Sequence, residues 1–267
     1  MMKNKIHELY ALEQLSGGNT AIHRLHPLAK LLASAVYIVT VVSFNRYALG
    51  RLIPYIFYPM ILMALSETPY AMLFKRFLVA LPFCLFAGIS NVLFDRAVAF
   101  DVVGIPISYG TVSLVTILLR TYLCVMAVLL LVSVTPFSEL TGAMRRLRTP
   151  NIFIIMFEMT YRYIGVLLNE AYSMNVAYSL RSSNNRGIEM KDMGGFAGQL
   201  LIRSFDRADR VYNAMKCRGY AIQTITKNPR KLTAGDVGFL VVVSTLCVTL
   251  RIIDINALFA GILERFL

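Results

Sequence analysis

The chain has 267 residues, of which 57% are hydrophobic and only 16% charged, with a mean hydropathy of +0.62. An ordinary soluble domain carries about 25% charged residues, so this composition excludes one and, with its long apolar runs, reads as an integral membrane protein. The net charge of +12 is then no sign of nucleic-acid binding; in a membrane protein, excess Lys and Arg mark the cytoplasmic side.

Residues 1–30 are polar and mildly basic and end in HRLHPLAK, His23–Lys30. Lys3 and Lys5 are followed by no apolar core of a cleaved signal peptide. Pro27 suits the first turn of a helix. The first apolar run is Leu31–Phe44, then a polar link Asn45–Arg51, then a second run Leu52–Leu65. Pro54 and Pro59 make that second run kinked or short. Ser66–Arg76 reads as a link carrying Lys75 and Arg76, and Phe77–Phe94 as the third run. Asp95–Gly110, with Gly104, Pro106 and Gly110, reads as an irregular loop or short hairpin. Thr111–Val134 is the clearest spanning helix, and Val237–Ile253 the last, with a possible extension over Asn256–Leu263.

Three regions follow: 1–134 with about four spans, 135–236 as a basic cytoplasmic region of amphipathic helices, and 237–267 with a C-terminal span. The fold class expected is an all-α polytopic membrane protein with about five spans. Counting outward from the basic region places the N-terminus in the cytoplasm and the C-terminus outside. Within the basic region, Thr135-Pro136 opens a helix to Arg148, Thr149-Pro150 breaks it, and Asn151–Ser182 reads as one long helix or two. Ser183–Gly198 is a loop rich in Gly, Ser and Asn, and a further helix runs from about Gln199 to Tyr220.

That last helix has two stripes. Phe205, Ala208, Tyr212 and Met215 form an apolar one; Arg203, Arg207, Arg210 and Arg218 form a cationic one about 200° away. Arg203, Arg207, Arg210 and Asp206 support the helix, pairing with Asp206 and Asp209 or with neighbouring helices. Gly219 sits where the helix ends. Arg181 and Arg218 each close an amphipathic helix and each precede a small residue, Ser182 and Gly219. Two readings stand: solvated arginines at helix C-caps, or two equivalent arginines docked into acidic pockets of two copies of one partner.

Arg120 lies inside the fourth apolar run; it pairs with Asp95 or Asp101, or faces a membrane partner. Glu158 and Arg162 have the spacing of an intrahelical pair. His7, His23 and His26 make a weak ligand set, and no metal site is assigned. Cys84, Cys124, Cys217 and Cys247 show no pairing pattern and read as small buried hydrophobes. No GxxxxGK[ST] occurs, so no ATP site of this chain's own is expected, nor any catalytic residue or cofactor.

At HRLHPLAKLL, TPFSEL, RRLRTP, TYRYIGVLLNEAYSMNVAYSLRSS and LLIRSFDRADRVYNAMKCRGY the chain resembles the transmembrane T component of energy-coupling factor (ECF) transporters, in the CbiQ branch of cobalt and nickel uptake. That family carries two Ala-Arg-small motifs in cytoplasmic coupling helices. They match here at Leu180-Arg181-Ser182 and Cys217-Arg218-Gly219, with both alanines replaced. The resemblance implies a non-catalytic scaffold in a bacterial or archaeal cytoplasmic membrane. It would link two CbiO-like ABC ATPases, which bind the ATP, to a CbiM-like substrate-binding subunit, with or without a small CbiN-like one, for cobalt or alternatively nickel. A reading from another class is a membrane-embedded enzyme acting on a lipid or prenyl diphosphate, with Asp206 and Asp209 holding Mg²⁺; a third is a platform that holds anionic membrane lipid.

Overall fold

The computed structural model describes residues 17–18, 20–45, 47–95, 98–102, 105–181, 188–220 and 232–252. Its helices are α1 (Pro27–Val42), α2 (Leu49–Leu52), α3 (Phe57–Ser66), α4 (Tyr70–Phe94), α5 (Tyr109–Val134), α6 (Phe137–Arg146), α7 (Asn151–Arg181), α8 (Met193–Cys217) and α9 (Ala234–Ile252). A two-stranded antiparallel hairpin, β1 (Val98–Val102) and β2 (Ile105–Ser108), joins α4 to α5. The chain divides into two units, one made of Glu13–Leu140 with Lys231–Leu267, the other containing Thr141–Arg230.

Prolines set the first boundaries. His26 caps α1, its Nδ1 accepting the Leu28 N–H at 3.1 Å, and Pro27 occupies the first helical position, where a missing N–H costs nothing. Pro54 lies in a 3₁₀ turn over Ile53–Ile56 that interrupts the second apolar run between α2 and α3, while Pro59 is accommodated in the first turn of α3. Elsewhere the helices outrun the expectation. Lys75 and Arg76 belong to α4, not to a link, because nothing between Tyr70 and Phe77 breaks a helix. Thr135 Oγ1 is buried without a hydrogen-bond partner, so it does not cap α6. The carbonyl of Pro136 starts that helix instead.

In the first unit α5 is the central post. Antiparallel α4 lies against it, and α1, α2 and α3 pack on it as well. Gly110 permits the closest approach: a Cβ there would stand 2.7 Å from both Asn91 O and Val92 Cα. Asn91 Nδ2 donates to Ser113 Oγ at 3.0 Å across the same seam. In lipid, where apolar burial between helices gains little, such small-residue contacts and interhelical hydrogen bonds hold helices together. The core gathers Tyr37, Val41, Leu52, Tyr55, Leu123 and Cys247. Tyr37 Oη donates to Tyr55 O at 2.9 Å, and Tyr55 Oη to Cys247 O at 2.8 Å, so neither hydroxyl is left unsatisfied.

Among the described residues Arg120 forms no ion pair: its Nη2 donates to Phe44 O at 2.5 Å and Asn45 O at 3.2 Å, at the C-terminal end of α1. Asp95 accepts from Tyr47 Oη at 2.8 Å instead, and the side chain of Asp101 lies outside those described. A guanidinium on the carbonyls that end a helix complements its negative pole. Arg251 of α9 does the same beside it, with Nη2 3.1 Å from Ser43 O and its Cζ 4.2 Å from the Phe44 ring centroid.

Among the described residues five helical segments are long and apolar enough to cross a membrane: Leu49–Ser66, Tyr70–Leu93, Tyr109–Val134, Asn151–Arg181 and Ala234–Ile252. The number is the expected one but the membership differs. The 16 residues of α1 fall short of a full span, since they rise only about 24 Å. Conversely, α7 qualifies through its apolar first half, NIFIIMF onward.

Candidate docking site on paired helices

The candidate site lies within the unit that contains α7 and α8. Asn151–Ser182 is one helix to Arg181, 31 residues without a break; Ser182 and the residues through 187 lie outside the described residues, so the first motif is seen only as Leu180-Arg181. Arg181 is exposed, and Leu180 beside it is 82% exposed.

The second motif is complete. α8 ends at Cys217, with Arg218 as C-cap and Gly219 at φ +67°. Gly219 N–H donates to Lys216 O at 3.0 Å and Tyr220 N–H to Met215 O at 3.0 Å. This pair of bonds is the Schellman arrangement, whose left-handed residue favours glycine. It closes off carbonyls that Arg218 would otherwise be recruited to cap, and Arg218 remains exposed. Cys217 is exposed too, contrary to the buried role expected: it lies at the end of α8, which buries none of its residues, whereas Cys84 and Cys247 are buried.

α8 begins at Met193, six residues before the expected start. Gly194, Gly195 and Gly198 made that stretch read as a loop, and each costs a helix only about 1 kcal/mol. Asp192, at its N-cap, accepts from Tyr178 Oη of α7 at 2.6 Å. Farther along, Arg203 forms an ion pair with Glu170. Cavities along the pair set Ala177 and Tyr178 opposite Gly195 and Phe196, Leu167 opposite Arg207, and Met159 opposite Met215. The two helices are therefore antiparallel, and α8 buries none of its residues.

Of the two pairings expected for the inner arginines, Arg203 makes the one with a neighbouring helix, at Glu170 of α7, and among the described residues Asp206, Asp209, Arg207 and Arg210 form no ion pair. The cationic stripe consequently borders α7 rather than turning away from it, and Phe205 stands 63% exposed. Glu170 supplies the reason: it ends the apolar stripe of α7 and draws Arg203 inward. Glu158 likewise accepts from Thr141 Oγ1 at 3.1 Å, and no Glu158–Arg162 ion pair forms among the described residues. Sequence reading missed Tyr178 and Asp192 because the α8 start was misplaced. Outside the helices, Glu189 lies 2.8 Å from Lys191 and holds its ammonium above its usual pKa.

His26 is engaged as a helix cap, and His23 Nδ1 lies 2.7 Å from Thr20 Oγ1; His7 lies outside the described residues. No group of three or more His, Cys, Asp or Glu side chains suited to a metal occurs among the described residues.

The family model described as a cobalt transport protein, CbiQ, matches residues 18–227. An uncharacterized protein of Methanocaldococcus jannaschii is 30% identical over 216 residues, covering 76% of this chain and 70% of its own. A protein of Streptococcus equi named as an energy-coupling factor transporter transmembrane protein, EcfT, is 27% identical over 219 residues, covering 76% of this chain and 80% of its own. A second uncharacterized M. jannaschii protein is 32% identical over 111 residues, 39% of this chain and 41% of its own.

Proposed function

From the chain's membership of the CbiQ cobalt transport protein family, we propose that this multi-pass membrane protein is the coupling subunit of an ECF-type importer for cobalt. It docks two cytoplasmic ATPases through Leu180-Arg181-Ser182 and Cys217-Arg218-Gly219, holds a substrate-binding subunit in the membrane, and passes ATP-driven movement between them. It has no catalytic residue of its own in this role.

The observation that carries the reading is the placement of the two arginines. α7 and α8 are antiparallel, and each ends in an exposed guanidinium. The two charges stand apart by about the length of α8, on the order of 37 Å. Two separate partner subunits fit such a spacing; one small ligand does not. A guanidinium offers planar, paired donors to a carboxylate or to backbone carbonyls.

A cytoplasmic α7 has independent support. α1 and α9 pack side by side, starting together at His26 and Asp236 and ending together at Ser43 and Arg251, so they run in the same direction. If the short α1 crosses along with α2–α3, α4 and α5, the next span runs parallel to α1 only if α7 does not cross. The basic 135–236 region then lies on the cytoplasmic side, with the N-terminus.

The test is co-expression with the ATPase and substrate-binding subunits. Arg181→Glu and Arg218→Glu each lose ATPase on purification, and the double variant abolishes cobalt uptake while the chain still inserts. Normal ATPase stoichiometry and uptake in the double variant would overturn the docking assignment, and preferential uptake of nickel would overturn the metal.

A further inference from the structure

The seam between α7 and α8 is not closed by side chains. A groove of about 430 Å³ runs along it, lined by Met159, Tyr163, Ile164, Ala208, Tyr212 and Met215. Next to it a second cavity, of about 210 Å³, is lined by Arg203, Arg207, Arg210, Asp206 and Glu170. The two share Leu167 and Arg207. Glu170 is already matched by Arg203, which leaves Arg207 and Arg210, without an ion pair among the described residues, against the single carboxylate of Asp206. An apolar trough that opens at one end onto two guanidiniums has the polarity of an anionic amphiphile.

We propose that this seam binds an anionic phospholipid, its phosphate at Arg207 and Arg210 and an acyl chain along the groove. The site stands whether or not Arg181 and Arg218 dock ATPases. Charge complementarity selects the occupant: guanidiniums take phosphate oxygens in paired hydrogen bonds, and a chain that spans a membrane is surrounded by lipid. The exposed apolar face of α8, with Leu201, Ile202 and Phe205 each more than half exposed, gives the helix the make-up of one that lies at a membrane surface. Each cation near an anionic surface is worth about 1 kcal/mol, or about five-fold in affinity.

The chain contains no tryptophan, so Tyr212→Trp places a lone reporter in the groove. The full-length protein is reconstituted in nanodiscs of phosphatidylcholine with increasing fractions of brominated phosphatidylglycerol or, in parallel, brominated phosphatidylcholine. The expected result is half-quenching at a several-fold lower fraction of the anionic lipid. Adding Arg207→Gln with Arg210→Gln removes that preference, and the paired lysine substitutions keep most of it. A reference Phe83→Trp, on an exposed face of α4, shows no preference. Equal quenching by both lipids at position 212, or a preference that survives the glutamine changes, overturns the proposal. So does loss of the preference on adding millimolar inorganic phosphate, which would mark a soluble-phosphate site, or on adding the ATPase subunits, which would mark a protein-docking groove.

Discussion

One carboxylate joins the two ends of the chain: Asp236 Oδ1 accepts the backbone N–H of His26 at 2.7 Å, across 210 positions of sequence. Its Oδ2 accepts the N–H of Thr233 at 2.8 Å. The same negative charge thus stands at the positive N-terminal poles of both α9 and α1. Nearby, Lys30 Nζ donates to Val134 O at 3.1 Å, at the negative C-terminal pole of α5.

Asp236→Ala leaves two backbone donors without their acceptor, each costing about 1–3 kcal/mol when buried. A loss of several degrees in the thermal midpoint of the detergent-solubilised protein is expected, with Asp236→Asn intermediate because it retains an acceptor but not the charge. A midpoint unchanged in Asp236→Ala would show that the contact does not hold the two helices.

The common direction of α1 and α9 predicts which surfaces face the cytoplasm. In a chain with its four cysteines replaced, Ser173→Cys in α7 should react with a membrane-impermeant maleimide only in inside-out vesicles. Labelling of Ser173→Cys from outside intact cells would require α7 to cross the membrane.

Gly110→Ala should prevent accumulation of folded protein, since a methyl group 2.7 Å from two backbone atoms cannot be relieved by rotating a side chain. The partner glycine Gly88 meets the flexible Leu114 side chain at 2.9 Å, so Gly88→Ala should be tolerated with a smaller shift. The comparison is read from yield of monodisperse protein after solubilisation. Equal yields of the two variants would show that α4 and α5 are free to part.

At Gly219 the surroundings are empty, so size is no obstacle and only the positive φ is. Gly219→Ala should cost about 1 kcal/mol and loosen the end of α8 while leaving Arg218 in the chain. Partial loss of ATPase recovered in pull-downs, milder than for Arg218→Glu, is the expected outcome; recovery as poor as with Arg218→Glu would assign Gly219 a direct contact.

The helices were legible where proline and long apolar runs punctuate the sequence, as at Pro27 and over Tyr109–Val134. The helix end at Arg218 was legible because a helix end followed by glycine is a local pattern. What was not legible is long-range. Nothing near Arg120 or Arg251 in sequence points to the carbonyls of residues 43–45, because those acceptors are backbone and belong to every residue alike. Glu170 carried a partial signal as the charged end of an apolar stripe, but its match with Arg203 depends on how α7 and α8 are paired. The early start of α8 was hidden by three glycines, and with it the Tyr178–Asp192 contact.

The contact between α1 and α9 also has a consequence in time. α1 leaves the ribosome well before α9, yet Asp236 and Arg251, which bind the backbone at its two ends, belong to α9. At roughly 5–20 residues per second, a nascent chain would wait about 10–40 s between making His26 and making its partner. Throughout that interval the His26 N–H and the Ser43 carbonyl lack the partners that α9 supplies. A segment made later thus completes α1, and a ribosome that stalls before α9 leaves a chain whose α1 is exposed to the cell's quality control.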